Sequence, residues 1–146
     1  MFQLQSLGHI EAQVAINAIE KEMIKRNLAA VITVADINGE LLGLLRVGNC
    51  SPVPITIAIN KAFTASRIKV PTSKLGHDVR HPEDGFDICY LGDKRYVGWG
   101  GGFPVEVDDQ VVGAIAVSGL TEQEDSELAG IGVAALLRYL DEQEAI

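Results

Sequence analysis

Lys61 and Arg67 lie on one run with helical spacing, and Arg46 sits near the end of a β-rich run upstream. An ammonium group among guanidinium groups can wall a carboxylate-binding pocket, with Arg making paired hydrogen bonds. The same three cations spread over a surface would be ordinary solvated charge. Burial lowers the pKa of a lysine and would fit Lys61 to act as a base or a Schiff-base former. Downstream, Val97-Gly98-Trp99-Gly100-Gly101-Gly102 gathers glycines around the only tryptophan of the chain. Bare backbone N–H groups at 100–102 can line a pocket and bind an anionic group, or the glycines can make a tight connection into a strand. No Gly-Lys-Ser/Thr follows them and position 103 is phenylalanine, so neither the Walker loop nor GxGxxG is matched. A strand pattern follows, not the helix N-terminus that lets such loops attract phosphate.

The histidines give two further settings. His77 and His81 are four apart, a spacing that can hold Zn²⁺ on a helix face, but Pro82 follows at once and HExxH is absent. A solvated acidic loop, with Asp78, Glu83, Asp84 and Asp87, is the alternative, and we expect no metal. His9 stands near the start of the first helical run, either as a surface residue or as an imidazole able to ligate haem iron. No GxSxG is present, and nothing pairs Cys50 or Cys89 with a base in sequence. Asp108-Asp109 reads as a turn, where Asp is a common former.

The elements that must position these residues follow from periodicity. Residues 6–27 read as a helix capped by Ser6, with Leu7, Ile10, Val14 and Ala18 on one face and Lys25 and Arg26 at its C-terminal end. Two β-rich runs flank Asn38-Gly39, which suits a type I′ turn. The first run is apolar on both alternating sets and so belongs inside a sheet. Residues 55–68 read as a helix, with a short second one starting near Thr72 or Ser73 after the break at Pro71. Strand-like pieces appear around Ile88 and Tyr96. A second hairpin turns near Asp108-Asp109. Its Pro104 fits only a strand start or an edge, and Val111–Val117 reads as a central strand. Thr121 and Glu124 form a capping box for a last helix that runs to about Leu140. Hairpins without βαβ units predict an α+β fold built on an antiparallel sheet.

At 146 residues with a 47% hydrophobic fraction, one domain spanning 1–146 is expected. The net charge of −8 argues against a nucleic-acid partner, whose phosphates require clustered cations. No run approaches the roughly 18 apolar residues of a membrane span, and the first residues lack the pattern of a signal peptide. The expectation is a cytoplasmic protein with no membrane partner.

The stretches "AINKAFTAS", "RIKVPTS" and "GWGGGFPVEVDDQVVGAIAVSG", with "VADINGELLGLLRV" before them, resemble the haem-binding, glycolate-operon and propanediol-utilisation family. That family also supplies the C-terminal domain of some corrinoid adenosyltransferases. The resemblance covers nearly the whole chain in order. It implies a profilin-like fold, a five-stranded antiparallel sheet flanked by helices, in dimers or higher oligomers. It also implies haem or corrinoid binding in some members, haem degradation in one branch, and an accessory place beside diol, glycerol or glycolate catabolism in others. Carried over residue by residue, Lys61 and Thr64 fall in its A-x-x-K-A-x-T-A pattern. Gly100, Gly101, Gly102 and Pro104 fall in GGG-x-P, and Asp36 and Arg46 in the hairpin pattern. His9 is the histidine in a matching region. The leading expectation is a small-ligand-binding protein whose pocket lies between the middle helix and the glycine loop, with Arg46, Lys61, Thr64 and the N–H groups of Gly100, Gly101 and Gly102 as contacts. An enzyme using Lys61 on a small metabolite, or a structural subunit packing through "LAGIGVAALL" (128–137), are the alternatives.

Overall fold

A computed structural model describes residues 1–146. In chain order the elements are α1 (His9–Arg26), β1 (Ala30–Ala35), β2 (Leu41–Val47), α2 (Pro54–Ile68), α3 (Thr72–Val79), a 3₁₀ turn (Ile88–Leu91), β3 (Gly102–Val107), β4 (Gln110–Ser118) and α4 (Glu122–Glu144). The sheet is antiparallel throughout, in the order β2-β1-β4-β3. β1 and β4 are the inner strands and nearly every residue in them is buried, as their apolar runs require. Pro104 lies in β3, an edge strand, where its missing N–H costs no ladder bond on the open side.

The two faces of β1 divide the core. Ala30, Ile32 and Val34 join Ile115 and Val117 of β4 under α1 and α4, whose Ile19, Met23, Leu128 and Leu136 are sealed from solvent. Burying each such side chain contributes ~1.5–3 kcal/mol relative to exposure. The alternate residues face α2: the Thr33 hydroxyl donates to the Ala58 carbonyl at 2.7 Å, and Ala35 and Ala116 meet Ala62. The small residues of α2 let it lie close on the sheet.

Four strands form the sheet, not the five expected. The sequence around Ile88 and Tyr96 carries β-forming residues, but local polar bonds hold it in another shape. Asp87 accepts the Cys89 N–H and caps the 3₁₀ turn, Gly92 ends it at φ 84°, and Asp93 accepts the Arg95 N–H. Such side-chain bonds compete directly with a ladder. Tyr96 packs its ring 5.1 Å from that of Phe63 instead.

Two ends also differ from expectation. α1 begins at His9 with Gly8 as its cap, the Glu11 carboxylate accepting the Gly8 N–H; Ser6 lies outside the helix and accepts the Ile37 N–H. The β1–β2 connection is a turn in which Gly39 N–H reaches the Asp36 carbonyl and only Gly39 has a positive φ, so it is not type I′. Asp36 stabilises it by accepting the N–H groups of Asn38 and Glu40. The β3–β4 turn is the one with two positive angles, at Asp108 and Asp109. The capping box at Thr121 and Glu124 forms as read.

Candidate functional site

The buried stripe of α2 runs through Pro54, Ala58, Lys61, Ala62 and Ala65, so a lysine occupies a position where the spacing calls for an apolar residue. The buried stripe of α4 runs through Asp125, Leu128, Ala129, Gly132 and Leu136, with an aspartate at its head. These two misfits meet. The Lys61 ammonium donates to Asp125 Oδ2 at 3.1 Å and to the Val117 carbonyl at 3.0 Å, while Asp125 Oδ1 accepts the Leu120 N–H at 3.1 Å. Burial holds Lys61 below the usual lysine value, against the opposing pull of Asp125 and Glu122. Burial likewise lifts Asp125 above the usual aspartate value, against the ammonium of Lys61.

The glycine loop exists to admit this pair. A Cβ on Gly101 would stand 2.6 Å from the Val117 carbonyl oxygen and 2.8 Å from Lys61 Nζ, and its φ is 123°. A Cβ on Gly100 would meet the Glu122 side chain, and one on Gly102 the Lys61 carbonyl and Thr72. Two of the three N–H groups are already engaged: Gly100 donates to Glu122 Oε1, and Gly102 to the Thr72 hydroxyl at 3.0 Å. The loop therefore fits side chains against backbone and does not present a row of free donors.

Above the pair lies a cavity of about 370 Å³ lined by Pro54, Ile57, Lys61, Trp99, Gly100, Ser118, Gly119, Leu120, Glu122 and Asp125. Lys61, Asp125 and Ser118 are buried at its floor, whereas Trp99 is 57% exposed at its rim. No hydrogen bond within the chain reaches the Ser118 hydroxyl, and no sealed side-chain polar atom lacks a partner, so this hydroxyl opens onto the cavity. The floor offers the third ammonium hydrogen of Lys61 and the Ser118 hydroxyl. The wall offers Glu122, and Pro54, Ile57 and Leu120 give apolar surface. The lining is thus more polar than that of the usual apolar ligand pocket, and its convergent hydrogen-bonding groups are what could fix a small molecule there.

The other residues anticipated for the site lie elsewhere. Thr64 is fully buried on α2, where its hydroxyl accepts the Val97 N–H at 3.0 Å and donates to the Arg95 carbonyl; it fastens the segment leading to Trp99. Arg46 is exposed on edge strand β2 and borders a separate depression with Glu20 and Ile24. Arg67 lies over the Phe63 ring, 4.9 Å from its centroid. The three cations do not converge on a carboxylate wall. The His77 and His81 rings are 6.5 Å apart, and His81 Nδ1 accepts the N–H groups of Glu83 and Asp84. His9 is exposed at the first residue of α1 and lines no part of the Lys61 cavity. Sequence reading missed Asp125, Ser118 and Glu122; the signal for Asp125 is its phase on the buried stripe of α4.

The family model described as "Haem degrading protein HbpS-like" matches residues 7–134. Protein GlcG of Escherichia coli strain K12 is 35% identical over 107 residues, covering 73% of this chain and 77% of that protein. Among solved structures, Klebsiella pneumoniae protein ORFY superposes with a TM-score of 0.87 at 29% identity, over 93% of this chain and 94% of that one. A PduOC–haem complex shares the fold with a TM-score of 0.81 at 22% identity, over 89% and 94% of the two chains. No helix is long and apolar enough to cross a membrane.

Proposed function

The chain belongs to the HbpS-like family, and from that premise we propose that it is an accessory protein that binds a small molecule over the Lys61–Asp125 pair. The observation that carries this reading is the hydroxyl of the buried residue Ser118, which has no protein partner and opens onto the cavity beside a buried ammonium at its floor. Lys61 acts there as a fixed hydrogen-bond donor, oriented by two acceptors. The resemblance of the glycine segment supports a setting beside diol, glycerol or glycolate catabolism. Native mass spectrometry of protein purified from its own host tests the reading. A bound mass should be present in the wild type and lost in Ile57→Trp, which fills the cavity from α2. No bound mass, or one unaffected by Ile57→Trp, overturns it.

Haem binding is a second reading, favoured by His9 and by the family description. Haem iron takes His, Cys, Met or Tyr as protein ligands, and no such residue lines the Lys61 cavity. His9 would hold the iron through an imidazole nitrogen, and the exposed Phe2, Leu4 and Ile10 offer apolar surface for the ring. Bound haem would supply an iron centre for redox or oxygen chemistry. Haemin titration should shift the Soret band in the wild type and not in His9→Ala. An unshifted, unsaturating band in the wild type removes this reading. The same apolar residues, with Ile24, support a homo-oligomer, to be measured by size exclusion with light scattering.

A further inference from the structure

Resting on the reading of the Lys61 cavity as a binding site, we infer that its ligand is a small uncharged hydroxy compound, and that the site rejects carboxylates and phosphates. The charge balance of the lining carries this. Lys61 is the only cation among the residues that line the cavity, and Asp125 and Glu122 are both acids. The lysine is already neutralised at 3.1 Å by Asp125, which leaves Glu122 as the uncompensated charge facing the ligand. An anion brought to the floor would gain hydrogen bonds from Lys61 and Ser118 but would confront two carboxylates. The N-terminus of α4 does not reverse this, because Glu122, Glu124 and Asp125 already complement its dipole. The chain as a whole carries −8, which further discourages approach by anions.

The hydrogen-bonding pattern narrows the class. The floor needs an acceptor opposite the free Lys61 hydrogen, and Ser118 can donate or accept. Glu122 is exposed at the wall, and with one oxygen taken by the Gly100 N–H its other oxygen is free to accept from a ligand hydroxyl in place of water. A hydroxyl both donates and accepts, so an uncharged molecule with two or more hydroxyls can satisfy floor and wall together. Pro54, Ile57 and Leu120 then cover a short hydrocarbon part, and the indole of Trp99 borders it at the rim.

Butane-1,3-diol and 3-hydroxybutyrate share one four-carbon skeleton and differ in charge, which makes them the test pair. Trp99 is the only tryptophan, so its emission reports the cavity, and the amides of Ser118, Gly119 and Leu120 report it by NMR. At neutral pH the diol should saturate both signals at millimolar concentration, with 3-hydroxybutyrate at least about tenfold weaker. Glu122→Gln should narrow that gap, and Ser118→Ala should weaken the diol. If 3-hydroxybutyrate shifts the same amides as strongly as the diol, or more so, the class is wrong and the site stands. If neither compound moves those amides, the class is also overturned. Loss of the host-derived bound mass in Ile57→Trp then tells whether the site itself survives.

Discussion

Lys61 Nζ and Asp125 Oδ2 stand 3.1 Å apart, though 64 positions separate the two residues in the chain. Their side chains retain only 3% and 4% of their exposure. A pair so placed must overcome a desolvation cost of several kcal/mol per ion, and its attraction roughly offsets that cost when the remaining lone pairs and protons are bonded. Here the Val117 carbonyl and the Leu120 N–H supply the additional bonds.

Removing one partner is therefore expected to cost far more than removing both. Lys61→Met should lower unfolding stability by ~3–5 kcal/mol, because it leaves the Asp125 carboxylate buried alone. Lys61→Met with Asp125→Leu should recover most of that loss or exceed the wild type. Urea denaturation of the cycle measures the coupling. A single variant as stable as the wild type would contradict the pairing.

The pair also shapes stability against pH. Burial raises Asp125 above the ordinary 3.8 in the folded state, so above that pH the unfolded chain gives up a proton that the folded chain keeps. Stability from this group thus falls as pH rises through the folded value. Burial lowers Lys61 below the ordinary 10.5, so on the alkaline side the unfolded chain holds the extra proton and stability rises with pH up to about that value. The wild type minus the doubly apolar variant should therefore show a trough at intermediate pH. A flat difference across the range would count against the pair as the cause.

Two glycines make a matched comparison. Gly101→Ala places a Cβ against the Val117 carbonyl and the Lys61 ammonium at a φ of 123°, and should cost at least ~2 kcal/mol through strain and overpacking. Gly130→Ala meets nothing within 4 Å on α4 and should gain ~0.5–1 kcal/mol from helix propensity. Thermal unfolding of both variants tests the sign of each.

Thr64 offers a test of the loop that carries Trp99. Thr64→Val keeps the shape but deprives the Val97 N–H of its acceptor, an expected loss of ~1–2 kcal/mol. Trp99 emission should change as the segment loosens, and Thr64→Ser should restore both. Unaltered emission and stability in Thr64→Val would show that the hydroxyl does not fix the loop.

Much of the frame is legible in the chain because local chemistry decides it. The double-faced apolar runs place β1 and β4 inside the sheet, Pro104 marks an edge, and Thr121 with Glu124 starts α4. The supposed fifth strand is not legible, since Asp87 and Asp93 override the β tendency of their neighbours through bonds to backbone N–H groups. In the site, Lys61 and the glycines can be singled out, but their purpose cannot. The reason for Gly101 is the carbonyl of a strand 16 residues on and an ammonium from a helix, and no spacing encodes that meeting. Arg46 illustrates the converse: its pattern is shared, yet β2 holds it at the far edge of the sheet.

The route taken by the Lys61 side chain has a consequence for how the molecule opens. It leaves a helix on one face of the sheet, passes Gly101 just ahead of β3, and ends on the first turn of the helix that covers the other face. Neither α2 nor the head of α4 can lift away alone without parting the buried ion pair. Their amide hydrogens are therefore expected to exchange as one cooperative unit, with the two halves of the core joined in a single opening event.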